Sequence, residues 1–393
     1  MCLPYVMSLA GIVNGIILLM ISSILGFVSI RMLLLSAART GIYSYGKLFA
    51  HASTFALAGP FLDIITMSFG FGVVVAFFVF LGDFVPSVAD SVGLTILTDR
   101  TMCILLCCVL SLPFAVPHKL SALQNITPVS TFSLVVTAGV VAYQSPAMYA
   151  AIPAGEDELD FAVFSLQLFK CFAIVVSAFI CHTNVVSVAG EVVDPTFPRV
   201  KKIASRAVLV QLVFYLLISV CGYVSFGKSV NQNFIKNYPD DDLPITVCRM
   251  LLALSIFFGL PLNTNPTAKA IVNFLITTGA ASPHNELDAP LLLLPMTPSE
   301  TNDPLKNVRI GCGIAILSLG ATLSLYVPGI ADIVSILGGS FGTLIMLVFP
   351  AIIYASVFKS DMHTWESQVM VGSLLVAASF CFVSVGLTLT GLV

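Results

Sequence analysis

The amino-acid sequence predicts an all-α polytopic membrane protein. Of its 393 residues, 58% are hydrophobic and only 9% are charged, against about 25% charged in a soluble domain. Mean hydropathy is +1.02. Apolar runs recur along the whole chain, each close to the roughly 20 residues that a helix needs to cross hydrocarbon. The net charge of -3 is too small to imply nucleic acid or any acidic partner.

Ten full spans are expected at about 11–35, 55–81, 101–117, 125–145, 164–190, 207–226, 245–275, 308–327, 331–357 and 367–391. Residues 1–9 read as the tail end of another span. The N-terminus is not a signal peptide, because it lacks a basic region and its first apolar stretch continues to about Leu35. Most of the ten cysteines fall in apolar runs, where Cys behaves as a small hydrophobe. No Cys-x-x-Cys pair exists, so neither a metal nor another cofactor is expected.

Orientation follows from Lys and Arg placement. With the loop after the first full span in the cytoplasm, Arg31, Arg39, Lys47, Lys119, Arg199, Lys201, Lys202, Arg206, Lys269, Lys306, Arg309 and Lys359 fall inside. Arg100, Lys170, Lys228, Lys236 and Arg249 fall outside. The sequon Asn125-Ile126-Thr127 then starts a helix on the cytoplasmic side and should go unused. One long cytoplasmic loop, about 277–307, is rich in Pro, Ser and Thr and should be flexible. Within it, Asp288 followed by Leu292-Leu293 has the spacing that trafficking adaptors read, and a plain loop is the alternative.

Polar residues at lipid depth carry the functional argument, since hydrocarbon offers them no hydrogen-bond partners. Cys181-His182-Thr183-Asn184 interrupts the run from Phe164 to Gly190, as expected for a helix broken around a binding site. The half-helix after such a break turns its positive end to an anion such as a carboxylate. The alternative is that His182 and Asn184 hydrogen-bond a neighbouring helix. A second cluster, Pro261-Leu262-Asn263-Thr264-Asn265-Pro266-Thr267, loses two ladder hydrogen bonds to its prolines and could hold a cation or substrate, or be a kink held by its own side chains. Ser68-Phe69-Gly70-Phe71-Gly72 and Gly338-Gly339-Ser340-Phe341-Gly342 are most simply read as packing, and Asp83 as a helix-end feature. Asp63, inside its span, fits a relay group or a bonded structural carboxylate equally well. Gly-x-Ser-x-Gly, His-Glu-x-x-His and phosphate-loop motifs are absent, and an enzyme is not expected.

Several segments in order give the chain a resemblance to the amino acid/auxin permeases, which include the sodium-coupled neutral and proton-coupled amino acid transporters. They are Leu3-Pro4-Tyr5, Gly82-Asp83-Phe84-Val85-Pro86, Phe179 to Asn184, Tyr223-Val224-Ser225-Phe226-Gly227, Tyr326-Val327-Pro328, Ile336 to Ser340, and Phe349-Pro350. The resemblance covers essentially 1–393 as one transmembrane domain. It implies a five-plus-five inverted-repeat transporter fold with an extra C-terminal helix, in a plasma membrane or a vacuolar or lysosomal type of membrane. It implies secondary active amino acid transport coupled to H+ or Na+. Its substrate site would comprise Leu3, Pro4, Tyr5, Phe71, Cys181, His182, Thr183, Asn184 and Asn263, with Thr264, Asn265 and Thr267 as coupling-ion candidates. Members of this family begin with a further half-helix before Leu-Pro-Tyr, so the chain reads as incomplete. A non-transporting amino acid sensor or an inactive paralogue on the same fold is the alternative.

Overall fold

A computed structural model describes residues 1–54, 57–91, 93–94, 97–115, 126–152, 159–192, 196–279, 305–327 and 329–393. The adaptor-type motif at 288–293, most of the 277–307 loop, and Asn125 of the sequon lie outside these residues. Everything described is helix, turn or extended connection, without strands. The helices are α1 (Leu3–Ala10), α2 (Ile12–Thr40), α3 (Tyr45–Ala52), α4 (Ala58–Ser91), α5 (Arg100–Ser111), α6 (Ile126–Ala151), α7 (Gln167–Ala178), α8 (His182–Glu191), α9 (Phe197–Phe226), α10 (Leu243–Thr277), α11 (Lys306–Tyr326), α12 (Ile330–Leu337), α13 (Phe349–Val357) and α14 (Trp365–Leu389).

Among the described residues, nine helical stretches are long and apolar enough to cross a membrane, counting α7–α8 and α12–α13 as one each. The protein is a multi-pass membrane protein. The stretch expected as a full span at 101–117 is shorter. Asp99 caps α5 by accepting from Met102 N–H, and the helix tightens to a 3-10 turn at Leu112–Ala115, around Pro113.

Other helices outrun their apolar runs. Helix α4 continues ten residues past the expected end, so Gly82-Asp83 and Pro86 lie inside it and not at its exit. Helix α9 starts ten residues early and carries Arg199, Lys201, Lys202 and Arg206 on its first turns. Hydropathy marks the part of a helix in hydrocarbon, while backbone hydrogen bonding carries the helix beyond it. Pro261 and Pro266 sit inside a continuous α10.

Between α1 and α2 the chain turns at Gly11, whose φ of 80° suits glycine. The loop near residue 160 zips onto this turn: Ile12 N–H donates to Asp160 O at 3.0 Å, Val13 N–H to Phe161 O at 2.8 Å and Val163 N–H to Ala10 O at 2.8 Å. A Cβ on Gly11 would lie 2.8 Å from the Ala162 backbone.

Helix α12 passes into α13 through two π-helical segments, Gly338–Gly342 and Leu344–Val348. Thr343 Oγ1 donates to Gly338 O at 2.7 Å, five residues back, which fits the wider winding. π-Segments concentrate at functional sites. Close packing accompanies this one: Cβ atoms on Gly338 or Gly342 would collide with Ala173 and Ser177, or with Ile180.

Candidate functional site in the broken span

The helix from Gln167 to Glu191 is interrupted halfway along, at Phe179–Cys181. The break precedes the polar cluster, so Cys181 is the N-cap residue and His182, Thr183 and Asn184 form the first turn of α8. Its two ends are treated differently. At the end of α7, Ala178 O accepts from Gln211 Nε2 at 2.8 Å and from Tyr215 OH at 2.9 Å. Gln211 Nε2 also donates to Tyr215 OH at 2.9 Å, and Phe179 stacks edge-on against Tyr215 at 5.3 Å. Helix α9 thereby neutralises the negative end of α7. At the start of α8 no side chain caps the backbone. The first amide N–H groups of a helix carry its partial positive charge, so this end is suited to an anion.

The cluster divides its roles. His182 is fully buried and faces α2, with Nε2 2.6 Å from Ser29 Oγ. Ser29 Oγ also donates to Gly26 O at 3.0 Å. A hydroxyl has one proton, and with that proton on Gly26 O, Ser29 accepts from His182 Nε2–H. Nδ1 is buried without a hydrogen-bond partner. Cys181 and Asn184 are exposed and Thr183 is half-buried. The imidazole therefore joins α8 to α2, while its neighbours are accessible.

In α10 the polar side chains turn first to their own helix. Asn263 Nδ2 donates to Gly259 O at 3.1 Å, Thr264 Oγ1 to Leu260 O at 2.8 Å and Thr267 Oγ1 to Asn263 O at 2.7 Å. Each bond uses a proton and leaves an oxygen with lone pairs to spare. Helix α4 lies between the two clusters. A Cβ on Gly70 would collide with Thr267 Oγ1, and the Phe69 ring lies beside Gly342, where Ile180 also packs. Phe71 is half-buried against the main core.

Leu3 and Pro4 are buried, and Pro4 packs against Gly222 of α9. Tyr5 is half-buried beside Lys170, Asp332 and Gln232. These three residues sit in the half of the bundle that the Lys and Arg count assigns to the outside, near Lys170 and Asp332, and not at the α7–α8 break. Around them the outer face is laced by ion pairs: Lys170–Asp332 at 2.8 Å, Lys228–Asp160 at 3.1 Å, Lys236–Asp83 at 3.2 Å and Arg249–Asp240 at 2.8 Å. Asp83 is thus a bonded carboxylate. Arg249 is 2% exposed and also donates to Ser87 Oγ and to the carbonyls of Ile235 and Tyr238. In the same outer loop burial pushes the Tyr238 hydroxyl up to about 12, and the ring packs edge-on against Phe226 at 4.7 Å.

The sequence argument missed Ser29, Gln211 and Tyr215. Gln211 was the most discoverable, as a polar residue inside the apolar run 207–226.

A helical membrane protein with a span broken at half depth, one end neutralised and the other open, has the form of a solute carrier. The sequence model of the transmembrane amino acid transporter protein family matches residues 1–392, and the chain belongs to this family, a family of transporters and not of enzymes. The chain is similar to the putative amino acid transporter AAT1 of Plasmodium berghei, 24% identical over 412 residues that cover 98% of this chain and 66% of the relative. It is 30% identical over 317 residues to the protein of the same name from Toxoplasma gondii, covering 78% and 44%. It is 22% identical over 321 residues to vacuolar amino acid transporter 5 of Saccharomyces cerevisiae, covering 72% and 68%. The chain thus spans 44% to 66% of the length of these AAT1 relatives.

Proposed function

We propose that this chain carries amino acids across a membrane by secondary active transport coupled to H+ or Na+. The carrier works by alternating access, on ten spans arranged as five-plus-five inverted repeats with an extra C-terminal helix, and α1 belongs to the first span. The observation that carries this reading is the asymmetric break. Ala178 O at the end of α7 is doubly bonded by Gln211 and Tyr215, whereas α8 begins uncapped, with Cys181 and Asn184 exposed. An unscreened helix N-terminus in a low-dielectric setting favours a carboxylate, which every amino acid carries.

Asn263 and the oxygens of Thr264 and Thr267 are the candidates for substrate or coupling-ion contact on α10. Asn265, 6% exposed, joins them as a side chain with no hydrogen bond among the described residues. The test is uptake of tritiated L-amino acids into proteoliposomes under an imposed pH or sodium gradient. Accumulation that collapses on adding the matching ionophore is expected. Binding without flux would overturn transport and point to a sensor.

A further inference from the structure

We infer that α9 docks the headgroup of an anionic phospholipid, on the side of the membrane that the Lys and Arg count assigns to the cytoplasm. The first turns of this helix are two-faced. Val200 is buried against Ile30 and Leu34 of α2 and Ala189 of α8, with Phe197, Ala204 and Val208 packed beside it. Residues spaced by three or four share one side of a helix. Arg199, Lys202 and Arg206 have the same spacing on the opposite side, and all three are exposed.

The stripe that these cations begin is continued by Leu209, Val210, Val213 and Leu217, which are also exposed. From Leu209 to Phe226 the helix rises about 27 Å at 1.5 Å per residue, close to the roughly 30 Å of the hydrocarbon core. Along the axis Arg206 then lies about 5 Å beyond Leu209, and Lys202 about 10 Å beyond it. Headgroups occupy about 5–8 Å on each side of the core. Arg206 falls within that layer, Lys202 at its edge and Arg199 just outside it.

Helix α9 contains no Asp or Glu. Among the described residues, the side chains of Arg199, Lys202 and Arg206 make no hydrogen bond or ion pair. The outer cations Lys170, Lys228, Lys236 and Arg249 each hold a carboxylate, and Arg31 on the cytoplasmic side holds Glu366. Unpaired cations directly below a lipid-facing apolar stripe are complementary to an anionic lipid surface, and the guanidinium fork matches a phosphate. A soluble anion would meet the charges and leave the aliphatic half of the stripe unused. A phospholipid meets both, with its phosphate at Arg206 and its acyl chains along Leu209, Val210 and Val213.

The test is native mass spectrometry of the purified full chain, delipidated in detergent and offered equimolar dioleoylphosphatidylserine and dioleoylphosphatidylcholine. The wild type should retain phosphatidylserine preferentially. Arg206→Gln should cut that preference about fivefold, the effect of one cation at an anionic surface. Arg199→Gln, Lys202→Gln and Arg206→Gln together should bring it to parity. Lys47→Gln, Lys306→Gln and Lys359→Gln, also at exposed positions, together remove the same charge from the same side of the membrane and should leave the preference intact. Should either triple variant aggregate on size-exclusion chromatography, Arg206→Gln compared with Lys359→Gln decides. Equal retention of the two lipids by the wild type would overturn the docking face. Equal loss in the two sets of variants would overturn its placement on α9. Glycerophosphoserine, the same headgroup without acyl chains, should not displace the lipid; displacement at equal concentration would make this a soluble-anion site and overturn the lipid assignment.

Discussion

The clamp on Ala178 O can be dissected by a double-mutant cycle. Tyr215→Phe removes the bond to the carbonyl and the one received from Gln211, at 2.9 Å each. Gln211→Leu likewise removes two bonds, at 2.8 and 2.9 Å. A neutral hydrogen bond contributes about 0.5–1.5 kcal/mol net. In either single variant the carbonyl keeps one donor, so the end of α7 stays partly neutralised. The double variant leaves it with none, adding the desolvation cost of a buried carbonyl, about 1–3 kcal/mol. If that end lies beside the bound carboxylate, the extra cost falls on substrate binding. At 1.4 kcal/mol per factor of ten, that extra cost of about 1–3 kcal/mol should raise KM for uptake by roughly 5- to 140-fold in the double variant, more than the product of the two single effects. The maximal rate should change less than KM, and the amount of folded protein in the membrane should hold. Initial-rate uptake against substrate concentration measures both constants. A double variant whose KM equals the product of the single effects, or is unchanged, would refute the reasoning, because the clamp would then be a packing detail with no electrostatic consequence at the site.

Gly11→Ala should lower the melting temperature in detergent, since a non-glycine residue at positive φ costs about 1–3 kcal/mol and its Cβ would press on the Ala162 backbone; an unshifted melting curve would contradict the turn. Arg249→Leu should lose about 1–3 kcal/mol for each of the buried carbonyls of Ile235 and Tyr238 that it leaves without this donor. Arg249→Lys should not restore stability, because a lysine lacks the planar fork that serves several acceptors at once; a fully folded Lys variant on size-exclusion chromatography would show the fork to be dispensable. Cys181 is exposed while Cys2, Cys103, Cys107, Cys108, Cys171, Cys248 and Cys381 are buried. A water-soluble thiol reagent should modify Cys181 first, as read by peptide mass spectrometry, and amino acid substrate should slow the reaction. Modification indifferent to substrate would separate Cys181 from the transport path.

The apolar runs were legible because a bilayer demands about 20 of them in a row, whatever lies next to them. Helix ends were not, because nothing in hydropathy distinguishes the polar last turns of α4 or the basic first turns of α9 from a loop. The four residues at 181–184 announced a disturbance, but its position fell one step earlier, on Phe179 and Ile180, whose apolar side chains carry no sign of an unwound backbone. His182 was legible as unusual and not as bonded to Ser29, since that contact joins residues 153 apart in the chain. The π-helical stretch could not be read at all. Gly338-Gly339-Ser340-Phe341-Gly342 permits close approach, and only the packing of α7 and α14 around it shows what the approach is for.

The basic residues that the charge count leaves on the outer face are mostly paired. Lys170, Lys228, Lys236 and Arg249 each hold a carboxylate, so most of the positive charge assigned to that face is locally cancelled. Cancellation also ties separate elements together: Lys170–Asp332 joins α7 to α12, and Lys236–Asp83 joins the outer loop to α4. The side chain of Lys170 is 10% exposed, and separating it from Asp332 would strand an ammonium group in a poorly solvated place. Any rearrangement that parts α7 from α12 must offset that cost. A solute can do so only by the difference in its affinity for the two arrangements. The uncapped start of α8 lies on the same interrupted span as Lys170, so a carboxylate bound there acts on the helix pair whose other end carries the ion pair. Under the proposed alternating access, binding and opening would be linked through this one broken helix.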